Sequence, residues 1–170
     1  MRAKLYSQLE KLWKKHGPHE FGKICQILLG LCLLRVHFRI QIFQLSGRPD
    51  IVATRNTEKF AFEVKTQSTS DATIKNEDLE GVREYTEHAI IAVLSFPDLE
   101  CDWILAKADD VKAGKYPIFF LKKHSISSLE REINEVFQNI LEEHYPIASL
   151  GTSVLYEKFD EVLKQSKREL

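Results

Sequence analysis

The chain has 170 residues, 44% hydrophobic and 29% charged, a balance that suits one globular domain with its own core and excludes a disordered chain. A formal net charge of −1 and a pI near 6.6 exclude a uniformly basic nucleic-acid binder, so any such surface must be a local basic patch. Cys25, Cys32 and Cys101 show no CxxC spacing and read as buried thiols of a reducing compartment, not as a disulfide or zinc site.

From the start of the chain, MRAKLYSQLEKLWKKHG carries charges throughout and reads as no signal peptide. Residues Arg2 to Lys15 place Leu5, Leu9, Leu12 and Trp13 near helical spacing, and Gly17-Pro18 ends that helix. A second helix starts near His19 or Glu20 and runs to about Leu34. Its apolar run ICQILLGLCLL is interrupted by Gln26 and too short to span a bilayer, so a buried helix and a cytoplasmic protein with no membrane partner are expected. VHFRIQIFQL, Val36 to Leu45, alternates and is rich in β-branched and aromatic residues, as a strand does. Ser46-Gly47 turns into a second strand, Pro49 to Arg55, and Asn56-Thr57 into a third, Lys59 to Gln67. STSDATIKNED reads as polar loop, followed by a helix from about Asn76 to Glu87. AIIAVLSF, Ala89 to Phe96, has the unbroken apolar run of a central strand. DWILAK and YPIFFLKK are further short strands, with KADDVKAGK between them as a short helix or loop. Ser125 or Ser127 caps a long helix to about Glu143, broken by Pro146. The last helix, Thr152 to Lys167, carries Val154, Leu155, Phe159, Val162 and Leu163 on one side. The order predicts an α/β domain with a mixed sheet.

The third strand carries the chemistry. Residues two apart share a face, so Glu63, Lys65 and Gln67 point one way and Phe62 and Val64 the other. A hairpin symmetric about Asn56-Thr57 pairs residues whose numbers sum to 113, which sets Asp50 opposite Glu63. A three-residue loop would shift the register by one and put Asp50 on the apolar face, which burial disfavours. Opposed carboxylates, about 4.5–5.5 Å apart at Cβ, destabilise a sheet unless a cation sits between them. Hard oxygen donors of this kind suit magnesium, which takes one or two carboxylates and completes its shell with water and phosphate oxygens. A lysine beside the cation can orient or deprotonate a water and neutralise charge on a phosphate. The competing reading is a solvated hairpin whose outer charges do nothing.

The residues Pro49-Asp50 and Glu63-Val64-Lys65, inside GRPDIVA and FAFEVKTQ, resemble the PD-(D/E)xK nuclease superfamily, and within it the archaeal Holliday junction resolvases and other small nucleases. The resemblance spans Glu20 through Phe96. It implies a restriction-endonuclease-like mixed β-sheet core flanked by helices, about 18–124, with extra C-terminal helices, about 125–170, in one nuclease-like domain over 1–170. It also implies a Mg2+-dependent DNA endonuclease, with Mn2+ as a substitute. Asp50 and Glu63 are then the metal ligands, Lys65 the catalytic lysine, and Gln67 a polar partner in placing the water. Glu20 stands where many members add a glutamate from the first helix. Tyr85 is suitably placed for a subtype that pairs a tyrosine with a glutamine, but the glutamine is missing. Restriction, repair and junction resolution are equally open. The alternative is a nuclease fold without turnover that binds nucleic acid or protein, and a third reading is an interaction domain with an accidental match.

Glu20 alternatively serves only its helix N-terminus. Arg48, Lys14-Lys15 and Lys122-Lys123-His124 are basic sites that either meet a DNA backbone or face solvent. The six histidines show no HxxxH or HExxH spacing, and there is no GxxxxGK[ST] or GxSxG. The apolar stripes of the two last helices need a surface, either their own sheet or a second copy in a homodimer, which a two-fold junction or duplex would suit.

Overall fold

The computed structural model describes residues 2–43, 47–67, 69–98 and 100–169. The chain opens with α1 (Ala3–Arg35), which bends at Gly17 (φ 80, ψ 169). The two predicted helices are therefore the two arms of one bent element. Glycine alone takes that φ without strain, and Pro18 then begins the second arm, where its missing N–H costs nothing. From Phe21 to Leu33 nearly every residue of this arm is buried, because it has neighbours on all sides. It packs on β1 (Arg39–Ile42), β2 (Ile51–Arg55) and β3 (Glu58–Lys65) below, and on α4 (Ser127–Ala148) and α5 (Thr152–Arg168) above. No described helix is long and apolar enough to cross a membrane.

Five strands form the main sheet, in the order β1-β2-β3-β5-β6, with β5 at His88–Leu94 and β6 at Trp103–Lys107. Among the described residues only the β3–β5 pair of this sheet is parallel, so the sheet is mixed. Strand β5 has cores on both faces. Ile90, Ala92 and Leu94 join the core shared with α1 and α4. Ala89, Ile91 and Val93 face the core under α2 (Asn76–Arg83). This is the alternation that the continuous run AIIAVLSF requires. The chain has a restriction-endonuclease-like mixed α/β fold.

Several expectations are corrected. STSDATIKNED is not all loop: Asp71–Ile74 forms β4, which pairs antiparallel with β7 (Gly114–Pro117) in a separate two-stranded ribbon. YPIFFLKK leaves the strand at Pro117 and turns into the short helix α3 (Ile118–Leu121), because Ile118 and Leu121, three apart, are the buried pair. Pro146 does not break α4, which runs to Ala148; in the last turn its absent N–H costs one bond, and Ser149 Oγ donates to its carbonyl (2.9 Å). Neither Ser125 nor Ser127 caps α4, whose first hydrogen bond runs from Glu130 N–H to Ile126 O (3.0 Å). Helix α2 starts at Asn76 as predicted and ends at Arg83, before Glu87. The first strand occupies Arg39–Ile42; Gln44, Leu45 and the Ser46 half of the predicted turn lie outside the described residues.

Candidate active site

The β2–β3 hairpin turns on Asn56 and Thr57, both at positive φ (51 and 70), as a two-residue hairpin loop matched to strand twist demands. Its register runs from Arg55 opposite Glu58 to Ile51 opposite Phe62, the symmetric arrangement. Regular pairing stops there. Asp50 N–H donates to Phe62 O (2.9 Å), and the Asp50 carboxylate, through Oδ2, accepts the Val64 N–H (2.8 Å). The aspartate thus hooks over the end of the ladder toward Glu63 instead of squarely opposing it. Gln26 of α1 fixes this corner by donating to Asp50 O (3.2 Å). The residue that interrupts the apolar run of α1 is therefore a strut under the site.

Glu63 and Lys65 point from β3 toward α2, and there the structure adds a residue that sequence reasoning missed. Lys65 Nζ lies 2.8 Å from Asp78 Oδ2 and 3.6 Å from Glu63 Oε1, all three side chains being at least three-quarters buried. Asp78 is the third residue of α2, where its Oδ2 also accepts the Lys75 N–H (2.9 Å) and so closes the helix start. That position was the available signal: an acid at the third residue of a helix already expected to begin at Asn76.

Burial raises the pKa of Glu63 to about 8, helped by the charge of Asp50 and opposed by Lys65. Asp50 is also raised, chiefly by burial, with the Val64 N–H pulling the other way. Asp78 moves down: burial disfavours its charge, but the hydrogen bonds of Lys65 and the Lys75 N–H outweigh it. The proton shared by this cluster therefore rides on Glu63, which hydrogen-bonds to Asp78. Three carboxylates face one lysine, so the cluster is short of positive charge.

A cleft of about 390 Å³ opens beside the cluster, lined by Asp50, Glu63 and Asp78, by Lys23 and Arg48, and by Tyr156 of α5. Arg48 also lies over the Phe43 ring (5.6 Å). Glu20 is not part of this lining. Its Oε1 accepts both the N–H (3.0 Å) and the hydroxyl (3.2 Å) of Thr152, so it holds the start of α5 and shares an edge with His16 (3.7 Å). Gln67 lies past the end of β3 and turns to the sheet, donating to Leu94 O (2.6 Å) and Phe96 O (3.2 Å). Tyr85 packs on Phe43 and under Lys59, and Trp103 is fully buried against Phe137. A larger hollow of about 1260 Å³ lies at the other end of β2, where two of the lining arginines are already paired: Arg35 with Glu143 (2.7 Å) and Arg55 with Glu132 (3.0 Å).

The donor set fits a divalent metal by its own chemistry. Two neighbouring carboxylates whose charge burial disfavours are hard ligands of the number magnesium needs. Among the described residues no three His, Cys, Asp or Glu side chains gather tightly enough to enclose an ion by themselves, so water and substrate oxygens would complete the shell.

The pattern of the archaeal Holliday junction resolvase (Hjc) family matches residues 45–142, more than half of the chain. The chain belongs to the Hjc family. Among solved structures, the Hjc of Archaeoglobus fulgidus, a Holliday junction resolvase from an archaeal hyperthermophile, is similar with a TM-score of 0.50 and 18% identity, over 61% of this chain and 89% of that one. No curated protein matches the sequence. The Hjc match contains Asp50, Glu63, Lys65, Gln67 and Asp78. Glu20 and the whole of α5, including Tyr156, lie outside it.

Proposed function

We propose that this chain is a metal-dependent endonuclease that hydrolyses phosphodiester bonds at four-way DNA junctions. One observation carries the reading: Asp50 and Glu63 are held together in a half-buried cleft with Lys65 beside them, at the protonation cost already described. Asp50 and Glu63 would hold Mg2+, or Mn2+ in its place. When bound, that ion supplies Lewis acidity toward the phosphate and a more acidic water. Lys65, fixed by Asp78, presents its ammonium group to the nucleophilic water and to charge building on the phosphate. Asp78 keeps that ammonium from collapsing onto the Glu63 carboxylate. Lys23 and Arg48 on the rim are placed for the flanking phosphates. Glu20, bonded to the start of α5, and Gln67, bonded to the end of β5, support this arrangement and do not hold the metal or the water. A homodimer fits the reading, since a symmetric junction offers two equivalent strands to cut, and so does a cytoplasmic location.

The test uses a four-way junction, a linear duplex and a single strand with Mg2+ or Mn2+, with Glu63→Ala and Lys65→Ala alongside. Cleavage of the junction that needs the metal, and that falls by at least about 100-fold in both variants, is the expected result. Metal-independent cleavage, or full activity of Lys65→Ala, would overturn the mechanism. Junction binding with no cleavage under any metal would make the chain a binding module of the nuclease fold.

A further inference from the structure

We infer that the surface built by α3 and its flanks receives unpaired nucleotides of the DNA substrate, a reading that rests on the proposed nuclease activity. Two phenylalanines stand out of the molecule here. Phe119 is 73% exposed and Phe120 39%, while their neighbours Ile118 and Leu121 are buried in the core under α2. The short helix is thus anchored by two residues and holds two aromatic rings outward. A ring as exposed as that of Phe119, held on an anchored turn, adds little to folding and marks a contact surface.

The surroundings choose the partner. From Gly114 to Ser125 the chain carries Lys115, Lys122, Lys123 and His124 and no acid at all. Phe120 is stacked on Tyr116 (5.9 Å between centroids, planes at 10°), and Lys123 Nζ lies 5.0 Å from the centre of the same ring. Among the described residues the acid paired with these lysines is Asp71, a loose partner of Lys115 at 3.8 Å with both side chains exposed. In a chain of net charge −1 this is a local concentration of positive charge interleaved with aromatic rings. Lysines meet phosphates, and exposed rings accept unstacked bases, the combination that binds single strands without sequence preference. A duplex offers no free base faces to such a surface, and lysines set among the rings match a chain of phosphates and bases more closely than an apolar protein face.

The surface is also tied through a short stretch of chain to the strand that carries Lys65. Ile118 N–H donates to Ser70 O (2.9 Å), and Asp71 pairs with Pro117. Ser70 is five residues beyond Lys65, so their Cα atoms are within ~18 Å of each other. At the ~3.4 Å per nucleotide of a stacked strand that reach to Ser70 is about five nucleotides or fewer, the scale of a junction's unpaired centre or a frayed arm.

The experiment measures anisotropy of a fluorescent thymidine oligonucleotide and of a blunt duplex, in EDTA so that metal-dependent cutting does not intervene. The full-length chain is compared with Phe119→Ala/Phe120→Ala and with Phe119→Trp. The expected result is a loss of single-strand affinity of at least about 5-fold in the double alanine variant, retention in Phe119→Trp, and duplex affinity changed by less than about 2-fold. Unchanged single-strand affinity in the alanine variant overturns the inference, as does loss that is equal for strand and duplex. A variant that binds strands normally but changes from dimer to monomer in sedimentation would assign the surface to a second copy, and also overturns it. The two readings fail separately. If junction cleavage is absent but the strand-binding loss is found, the nuclease assignment falls and the surface stands; if cleavage holds and the alanine variant binds as before, the surface alone falls.

Discussion

Glu63 sits in the folded chain with a proton that an exposed glutamate gives up near pH 4.5, its own pKa being about 8. The folded state therefore binds more protons than the unfolded one between those values. The sign follows: its contribution to stability is complete below pH 4.5 and is lost as the pH rises to about 8, on the order of a few kcal/mol. Without metal, Glu63→Gln should flatten this decline in urea unfolding measured from pH 5 to 9, with Asp50 leaving a small residual slope of the same sign. Magnesium should raise the wild-type midpoint more at pH 9 than at pH 6, since at the lower pH it must displace the proton. An equal rise at both would mean that Glu63 is not a ligand. At this scale the sequence was informative where strand periodicity applied. Asp50, Glu63 and Lys65 could be placed together because a two-residue turn and a period of two leave one arrangement. Gln67 could not, because the strand ends at Lys65 and the period with it. Asp78 could be marked as an acid at the third residue of a helix, but pairing rules within a hairpin say nothing about which helix is laid over it, so its link to Lys65 was not legible.

Helix α5 shows what an element adds to a site that its own sequence does not announce. It begins at Gly151, whose φ of 119 allows the chain to enter the helix with Glu20 Oε1 only 3.2 Å from where a Cβ would stand. Thr152 provides no cap to its own helix; the acid comes from α1. Hydrogen bonds to the Thr152 N–H and hydroxyl hold the Glu20 carboxyl below the ordinary glutamate range. Glu20→Ala should speed amide hydrogen exchange at Thr152 through Leu155 while leaving β3 and β5 protected, and Glu20→Gln should restore much of that protection. If Glu20→Ala instead abolished magnesium binding by calorimetry with exchange in α5 unchanged, Glu20 would be a ligand after all. The missed strand β4 has an equally local cause. DATI alternates over only four residues, and its partner β7 lies some forty residues on, so nothing nearby in the chain indicates a strand. The segment Ile118–Leu121 was misread because four consecutive apolar residues carry no period, and only burial separates Ile118 and Leu121 from the two rings between them.

As a whole molecule, the chain wraps one apolar helix with a sheet on one side and two helices on the other. The class of fold was legible because both ingredients, a buried helix and a two-faced central strand, appear as uninterrupted apolar runs. How α4 and α5 close over α1 was not legible, since an amphipathic stripe such as Leu129, Ile133, Phe137 and Ile140 does not name its partner. In the structure that stripe enters the core with α1 and Trp103.

The ties that build this shape differ greatly in reach, and that has a consequence in time. The Asn56-Thr57 turn joins neighbours, whereas the Glu20–Thr152 link joins residues 132 apart. A local hairpin can form before the chain has collapsed; a link between distant segments must wait until nearly everything between them is in place. Thr57 takes a left-handed conformation at a cost of about 1 kcal/mol for a side chain branched at Cβ. Thr57→Gly should accordingly speed refolding about 5-fold and leave the unfolding rate nearly unchanged. Glu20→Ala should do the reverse, faster unfolding with refolding unaltered, in stopped-flow measurements of both arms. The wall of the cleft that carries Tyr156 would then be the last part of the enzyme to arrive and the first to leave.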